Sequence, residues 1–188
     1  MMGELRVAVT AAGSSLSPRN QASAIRIRQV VPGDLEACFE IETICFEGAG
    51  ATRTRIGRRI RKYPEGFLVA TLGGAVVGFV NSGAFDSEDI ADESLKDLVG
   101  HNPGGRHLVI FSLVVHPRAQ NRGIARELLE RIIEQAIADE RESVLLDCRK
   151  HLIRYYESFG FAYRAISPAR FGGHKWYEMN LELRGGKP

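Results

Sequence analysis

The sequence predicts an α/β fold in one domain: a mixed, mostly antiparallel sheet of about seven strands, with helices on both faces. Three observations carry this. The run His107 to Val115 holds Val109, Ile110, Phe111, Leu113, Val114 and Val115, too dense an apolar pattern for a strand wet on one side. It reads as a central strand buried on both faces, stopped at Pro117, which cannot donate to a ladder. An amphipathic helix follows, with Ile124, Leu128, Ile132 and Ala136 stepping by four along one face. Arg126 with Glu130, and Glu127 with Arg131, can pair along its polar face. Ser143 to Asp147 then reads as a short buried strand, parallel to the central one because a helix crosses over between them.

The remaining elements assemble around that unit. Ile25-Arg26-Ile27-Arg28 alternates as a first strand within Ala24 to Val31. Pro32-Gly33-Asp34 breaks it, and Asp34 is placed to cap a helix over Leu35 to Phe46, with Leu35, Cys38, Phe39 and Glu42 on successive turns. A second helix spans Thr52 to Lys62. Its arginines, Arg53, Arg55, Arg58, Arg59 and Arg61, together with Lys62, read as a solvated face in preference to a binding patch for an acidic partner. Phe67 to Leu72, Gly73-Gly74 and Ala75 to Phe85 form a hairpin. A polar excursion from Asp86 to Gly105 is either a substrate-side loop or an inert surface loop. After the parallel strand, His151 to Ser158 is helical, with Gly160 as its terminating glycine. Phe161 to Ile166 and Lys175 to Leu183 close the sheet as a second hairpin.

The chain has 188 residues, 44% apolar, with a formal net charge of +2. Residues 1–23, rich in Ser, Ala and Gly, read as a flexible leader without a signal peptide's apolar core, and 24–188 as the domain. The near-neutral charge gives no reason to expect a nucleic-acid or membrane partner. Cys38, Cys45 and Cys148 lie outside any zinc-like spacing, so reduced thiols and a cytoplasmic location are the expectation. A second copy of the chain as a partner is left open.

A strand running through a small-residue turn into a helix makes an anion site. The first helical N–H groups have no partner of their own, and the helix dipole adds positive potential. Gly123 lets backbone approach a phosphate, Ala125 adds little bulk, and Arg118 and Arg122 bring formal charge. The motif Gln120-x-x-Gly123-x-Ala125, directly after Leu113-Val114-Val115-His116-Pro117, resembles the acetyl-CoA pyrophosphate loop of the GNAT N-acetyltransferases. Downstream, Tyr156-Glu157-Ser158-Phe159-Gly160-Phe161 resembles the tyrosine-bearing helix end of the same superfamily. Phe39-Glu40-Ile41-Glu42, Cys45-Phe46, Pro64-Glu65, Phe67-Leu68-Val69-Ala70 and Val77-Gly78-Phe79 are similar to the arylalkylamine N-acetyltransferase branch. So are Phe171-Gly172-Gly173 and Trp176-Tyr177-Glu178-Met179, which match its microbial members.

The resemblance implies the GNAT fold, in which the parallel strands splay apart to admit pantetheine, and acetyl-CoA as cosubstrate. It implies that an acceptor amine, a small aryl- or alkylamine or a polyamine, attacks the thioester directly. The Leu113 N–H would hold the carbonyl oxygen and Val115 would bond pantetheine, with Val114 between them. Gln120, Asn121, Arg122, Gly123, Ile124 and Ala125 would take the pyrophosphate, and Tyr156 would protonate the departing thiolate, with Tyr155 left to packing. Animal members place two histidines on the central strand; the matching positions here are Val109 and Phe111, so that relay is missing. His107, read as a surface histidine at a strand start, and Glu47, Asp86 and Asp147 are the other candidates for a base, none supported by spacing. His116 and Cys148 are assigned structural roles. Two other functions stay open: a protein N-terminal or lysine acetyltransferase, and an acyl-CoA sensor without catalysis.

Overall fold

The computed structural model describes residues 24–169 and 171–183; the predicted leader lies outside the described residues. The strands are β1 (Ile25–Gln29), β2 (Phe67–Leu72), β3 (Ala75–Phe85), β4 (His107–Val115), β5 (Ser143–Cys148), β6 (Ala162–Ser167) and β7 (Trp176–Glu182). They form one seven-stranded sheet in the order β1-β2-β3-β4-β5-β7-β6. Every neighbouring pair is antiparallel except β4 with β5. The helices are α1 (Leu35–Cys45), α2 (Arg53–Lys62), α3 (Ile124–Ala138) and α4 (Ile153–Glu157).

Alternation along the central strands divides the core. Phe67, Val69, Phe79 and Val114 project to one face and pack with Cys38 and Ile41 of α1 and Ile56 and Ile60 of α2. Leu68, Ala70, Val80 and Val115 project to the other and pack under Leu128, Leu129, Ile132 and Ala136 of α3. Each large apolar side chain so enclosed contributes roughly 1.5–3 kcal/mol, which explains why the densest apolar run in the sequence occupies the middle of the sheet.

The boundaries differ from the expectation where chain ends are set by caps. Thr52 lies outside α2 as its N-cap, its hydroxyl accepting from the Arg55 N–H at 3.2 Å. Asp34 does not cap α1 with its side chain; its carboxylate accepts from the Val31 N–H and, bidentately, from Arg28. The predicted helix from His151 to Ser158 divides into a 3-10 turn, Lys150–Leu152, and the short α4, ended by Gly160 at φ 90°.

Two expectations are corrected. The α2 arginines are a solvated face only in part: Arg53, Arg61 and Lys62 are exposed, but the other three are not. Arg59 is only 2% exposed, while Arg55 and Arg58 both pair with Asp97 of the 3-10 turn Glu93–Asp97. The excursion from Asp86 to Gly105 thus folds back onto α2. His107 is not a surface residue either: it is 2% exposed and shares a 2.9 Å hydrogen bond with the Ser143 hydroxyl across the parallel strands.

Candidate active site

The site begins with a defect in the sheet. β5 pairs with β4 from His107↔Ser143 to Ile110↔Leu146 and no further, although both strands continue. On its other side β4 carries a bulge. Asn81 faces Ser112 while Ser82 faces Ile110, so Phe111 is the extra residue. A bulge bends and twists its strand, and here it coincides with the point where β4 parts from β5.

Beyond the bulge, strand parity decides which amides face the gap. The His116 N–H donates to the Val77 carbonyl at 2.8 Å. Backbone groups two residues apart point the same way, so Val114 also faces β3, while Leu113 and Val115 face β5. Within the described residues no strand pairs with them there. The Val115 carbonyl instead accepts from the Gln120 side-chain amide at 3.0 Å and from the Cys45 thiol at 3.5 Å. Gln120 therefore braces the strand end.

Past Gln120 the chain turns through Asn121 at φ 61° and Gly123 at φ 79° into α3. No side chain caps Gly123, so the first amides of the helix, those of Ile124 and Ala125, remain open donors. A Cβ at Gly123 would meet nothing within 4 Å. The turn is an open cradle with the helix dipole behind it, and its donor set fits a pyrophosphate. Ile124 can contribute only backbone, because its side chain is 1% exposed in the core.

The gap opens into a cavity of about 800 Å³. Leu113, Val114, Val115, Gln120 and Tyr156 all line it, whereas Asn121 to Ala125 form the turn beside it. Tyr156 is buried against Phe161, ring centroids 5.7 Å apart, and burial pushes its phenol up from the ordinary value. Tyr155 packs on Phe159 away from the cavity wall. Cys148 lines the cavity with its thiol pushed up to about 12 by burial, a protonated thiol rather than a nucleophile.

On the α1–α2 face the structure gathers charged groups that sequence reasoning gave no site role. Glu42, 2% exposed, accepts at Oε1 from the Ala51 N–H (2.9 Å) and the Ser112 hydroxyl (3.0 Å). Its Oε2 is buried without a hydrogen-bond partner, and burial raises its pKa. Arg59 lies over the Phe111 ring at 4.5 Å and donates to Asn81 Oδ1 and twice to the Lys96 carbonyl. Desolvation lowers its pKa to about 10, still charged near neutrality. Glu42 stands at helical spacing on an apolar face, so a buried carboxylate at that position was the available signal. The side of α2 on which Arg59 falls carried none.

The candidate bases separate. Asp86 is exposed and accepts from the Asn102 side-chain amide, His107 is enclosed under the paired strands, and His116 caps the turn after β4 by accepting from the Arg118 N–H. Glu47 and Asp147 line the cavity, as do Val109 and Phe111, the positions of the missing relay.

Comparison with known proteins places this geometry. The model of the acetyltransferase (GNAT) family matches residues 35–161. The chain belongs to the GNAT acetyltransferase family. This acetyltransferase is 30% identical over 174 residues to serotonin N-acetyltransferase of Mesocricetus auratus, covering 88% of this chain and 81% of the relative. It is 28% identical over 139 residues to the L-amino acid N-acyltransferase MnaT of Escherichia coli (strain K12), covering 66% of this chain and 65% of the relative. Among solved structures it is similar to the loading GNATL domain of CurA from Lyngbya majuscula. The TM-score is 0.78 at 18% identity, over 86% of this chain and 98% of that one. The yncA acetyltransferase of Salmonella typhimurium, solved with its cofactor acetyl-CoA, gives a TM-score of 0.67 at 22% identity, over 88% and 98%. As a member of this acetyltransferase family the chain takes acetyl-CoA as cosubstrate, and the open turn before α3 fits its diphosphate.

Proposed function

We propose that this acetyltransferase moves the acetyl group of acetyl-CoA to a primary amine, a small aryl- or alkylamine or a polyamine, by direct attack in a ternary complex. The observation that carries the reading is the parting of β4 from β5 beside Leu113 and Val115, continuous with the cavity lined by Tyr156. The cavity's apolar wall, with Phe46, Ile90, Leu95, Phe111 and Trp176, suits a small organic acceptor.

In this reading the Leu113 amide receives the carbonyl oxygen as it gains charge. A preorganised donor of this kind is worth about 3 kcal/mol, because it needs no reorientation as the charge forms. The Val115 amide holds the pantetheine, and the Asn121–Ala125 turn takes the diphosphate. Tyr156, kept neutral by burial, donates its proton to the departing sulfur. A phenol whose pKa is raised is a weak acid in water. A thiolate leaving into the same apolar gap is itself more basic than in water, so the transfer stays matched.

The test is release of free thiol from acetyl-CoA with a panel of amines and peptides. Turnover with small amines is the expected result. Turnover with peptides alone would assign a protein substrate instead. Tight acetyl-CoA binding with no release would make the chain a sensor.

A further inference from the structure

We infer that Asp147 is the base of the site: its carboxylate receives the acceptor as an ammonium ion in the cavity and takes the proton that frees the nitrogen to attack. This rests on the amine-acetylation reading above and supplies the group that the missing histidine relay leaves unassigned.

The position follows from the sheet. Leu146 is the last β5 residue paired with β4, opposite Ile110, so Asp147 is the first residue of β5 on the parted stretch. Consecutive side chains point to opposite faces. Cys148 acts electrostatically on Tyr156, on the α4 side. Asp147 therefore projects to the α1–α2 face, where it interacts with Lys96 and Glu93 of the 3-10 turn. Base and acid so stand on opposite faces of the gap that would hold the thioester, the amine approaching from one and the sulfur leaving toward the other.

The carboxylate is held but not used up. Oδ2 accepts from the Ser167 hydroxyl at 3.1 Å, while Oδ1 is buried with no hydrogen-bond partner. The charged groups facing it are Lys96 and Glu93 from the 3-10 turn and Glu178 from β7, two acids against one base, an environment that favours a cation. Lys96 is already engaged by Glu93 at 3.4 Å. Desolvation is the main reason the Asp147 pKa rises to about 6. That value leaves the group ionised at neutral pH yet basic enough to accept a proton, the compromise that general bases require. Glu42 also lines the cavity and its Oε2 likewise lacks a hydrogen-bond partner. It is 2% exposed, is tied at Oε1 to Ala51 and Ser112, and lies on the paired side of β4 away from the parted β5 residue, so it is the rival that the experiment must separate from Asp147.

The proton count closes. The ammonium gives one proton to Asp147, which passes it to solvent. The nitrogen lone pair forms the C–N bond, the C–S bond breaks, and Tyr156 protonates the sulfur. The second nitrogen proton then restores the Tyr156 phenol.

The experiment compares the intact chain with Asp147→Asn and Glu42→Gln, using an amine that the wild-type protein turns over. For wild type, kcat/KM should fall on the acidic side with a limb near pH 6. Asp147→Asn should lower kcat/KM for the amine about 100-fold at neutral pH and abolish that limb. Its affinity for acetyl-CoA, measured by calorimetry, should stay within about twofold, which also certifies that the variant is folded. Glu42→Gln should keep the limb. A limb that survives in Asp147→Asn, or one that disappears only in Glu42→Gln, overturns the assignment. If Asp147→Asn fails to bind acetyl-CoA, Asp147→Glu decides: a shifted limb supports the base, an unmoved one overturns it. A wild-type chain that turns over no amine at all would instead overturn the amine-acetylation reading, which keeps the two failures apart.

Discussion

Tyr156 and Gly123 are the residues at which the proposed chemistry is most directly tested. Tyr156 sits edge-on to Phe161 and also lines the cavity, so the residue belongs to both the core and the cavity wall. Tyr156→Phe keeps the ring and removes the donor. We expect kcat to fall about 100-fold while the affinity for acetyl-CoA changes by less than about threefold, read from steady-state kinetics and calorimetry. Gly123 adopts a left-handed conformation that costs an L side chain about 1–2 kcal/mol, and the space a Cβ would enter is empty. Gly123→Val should therefore weaken acetyl-CoA binding at least about tenfold by filling the diphosphate cradle. It should lower the melting temperature by only a few degrees, because no neighbour is displaced.

At the scale of the element, α2 departs furthest from its sequence pattern. A helix carrying arginine at 53, 55, 58, 59 and 61 reads as wet, yet it turns Arg59 into the protein against Phe111, Asn81 and the Lys96 carbonyl. A guanidinium is the side chain suited to this, since it is weakly hydrated and can donate in several directions at once. Removing it strands the Asn81 carbonyl oxygen and takes a positive charge away from Glu42. Arg59→Ala should cost about 3 kcal/mol in denaturant unfolding, whereas Lys62→Ala, on the exposed side of the same helix, should stay within about 0.5 kcal/mol. Thr52→Ala removes only the cap and should cost about 1 kcal/mol.

For the whole molecule, the titration of buried acids sets opposing slopes of stability with pH. The Arg28 guanidinium bonded to Asp34 holds that carboxyl below its usual range, so Asp34 stabilises at neutral pH and the gain is lost as pH falls through its depressed folded pKa. Asp147 has the opposite sign. Its folded pKa of about 6 lies above its ordinary 3.8, so the native state holds the proton more tightly and stability falls as pH rises from about 4 through 6. Asp147→Asn should accordingly raise the melting temperature more at pH 7.5 than at pH 4.5, whereas Asp34→Asn should lower it at both, because the Asp34 gain is lost only below its ordinary 3.8. A loss of stability at pH 7.5 in Asp147→Asn would show that the carboxylate is compensated in the native state.

Much of this architecture was legible in the residues. The apolar run of β4 and the four-residue stepping of α3 fixed the central unit, because sheet and helix periodicities are local and differ. The open turn at Gln120, Gly123 and Ala125 and the helix end at Tyr156 were legible as local structure, since close backbone approach and an uncapped helix start depend on residue type at fixed spacing. The acceptor side was not legible. Asp147 stood unsupported among several acids, Arg59 was lost in a basic run, and His107 looked exposed. Their roles depend on a bulge at Phe111, on where β4 parts from β5, and on the excursion from Asp86 folding back over α2. Each of these brings together residues far apart in the chain, and only tertiary packing decides which polar groups it encloses.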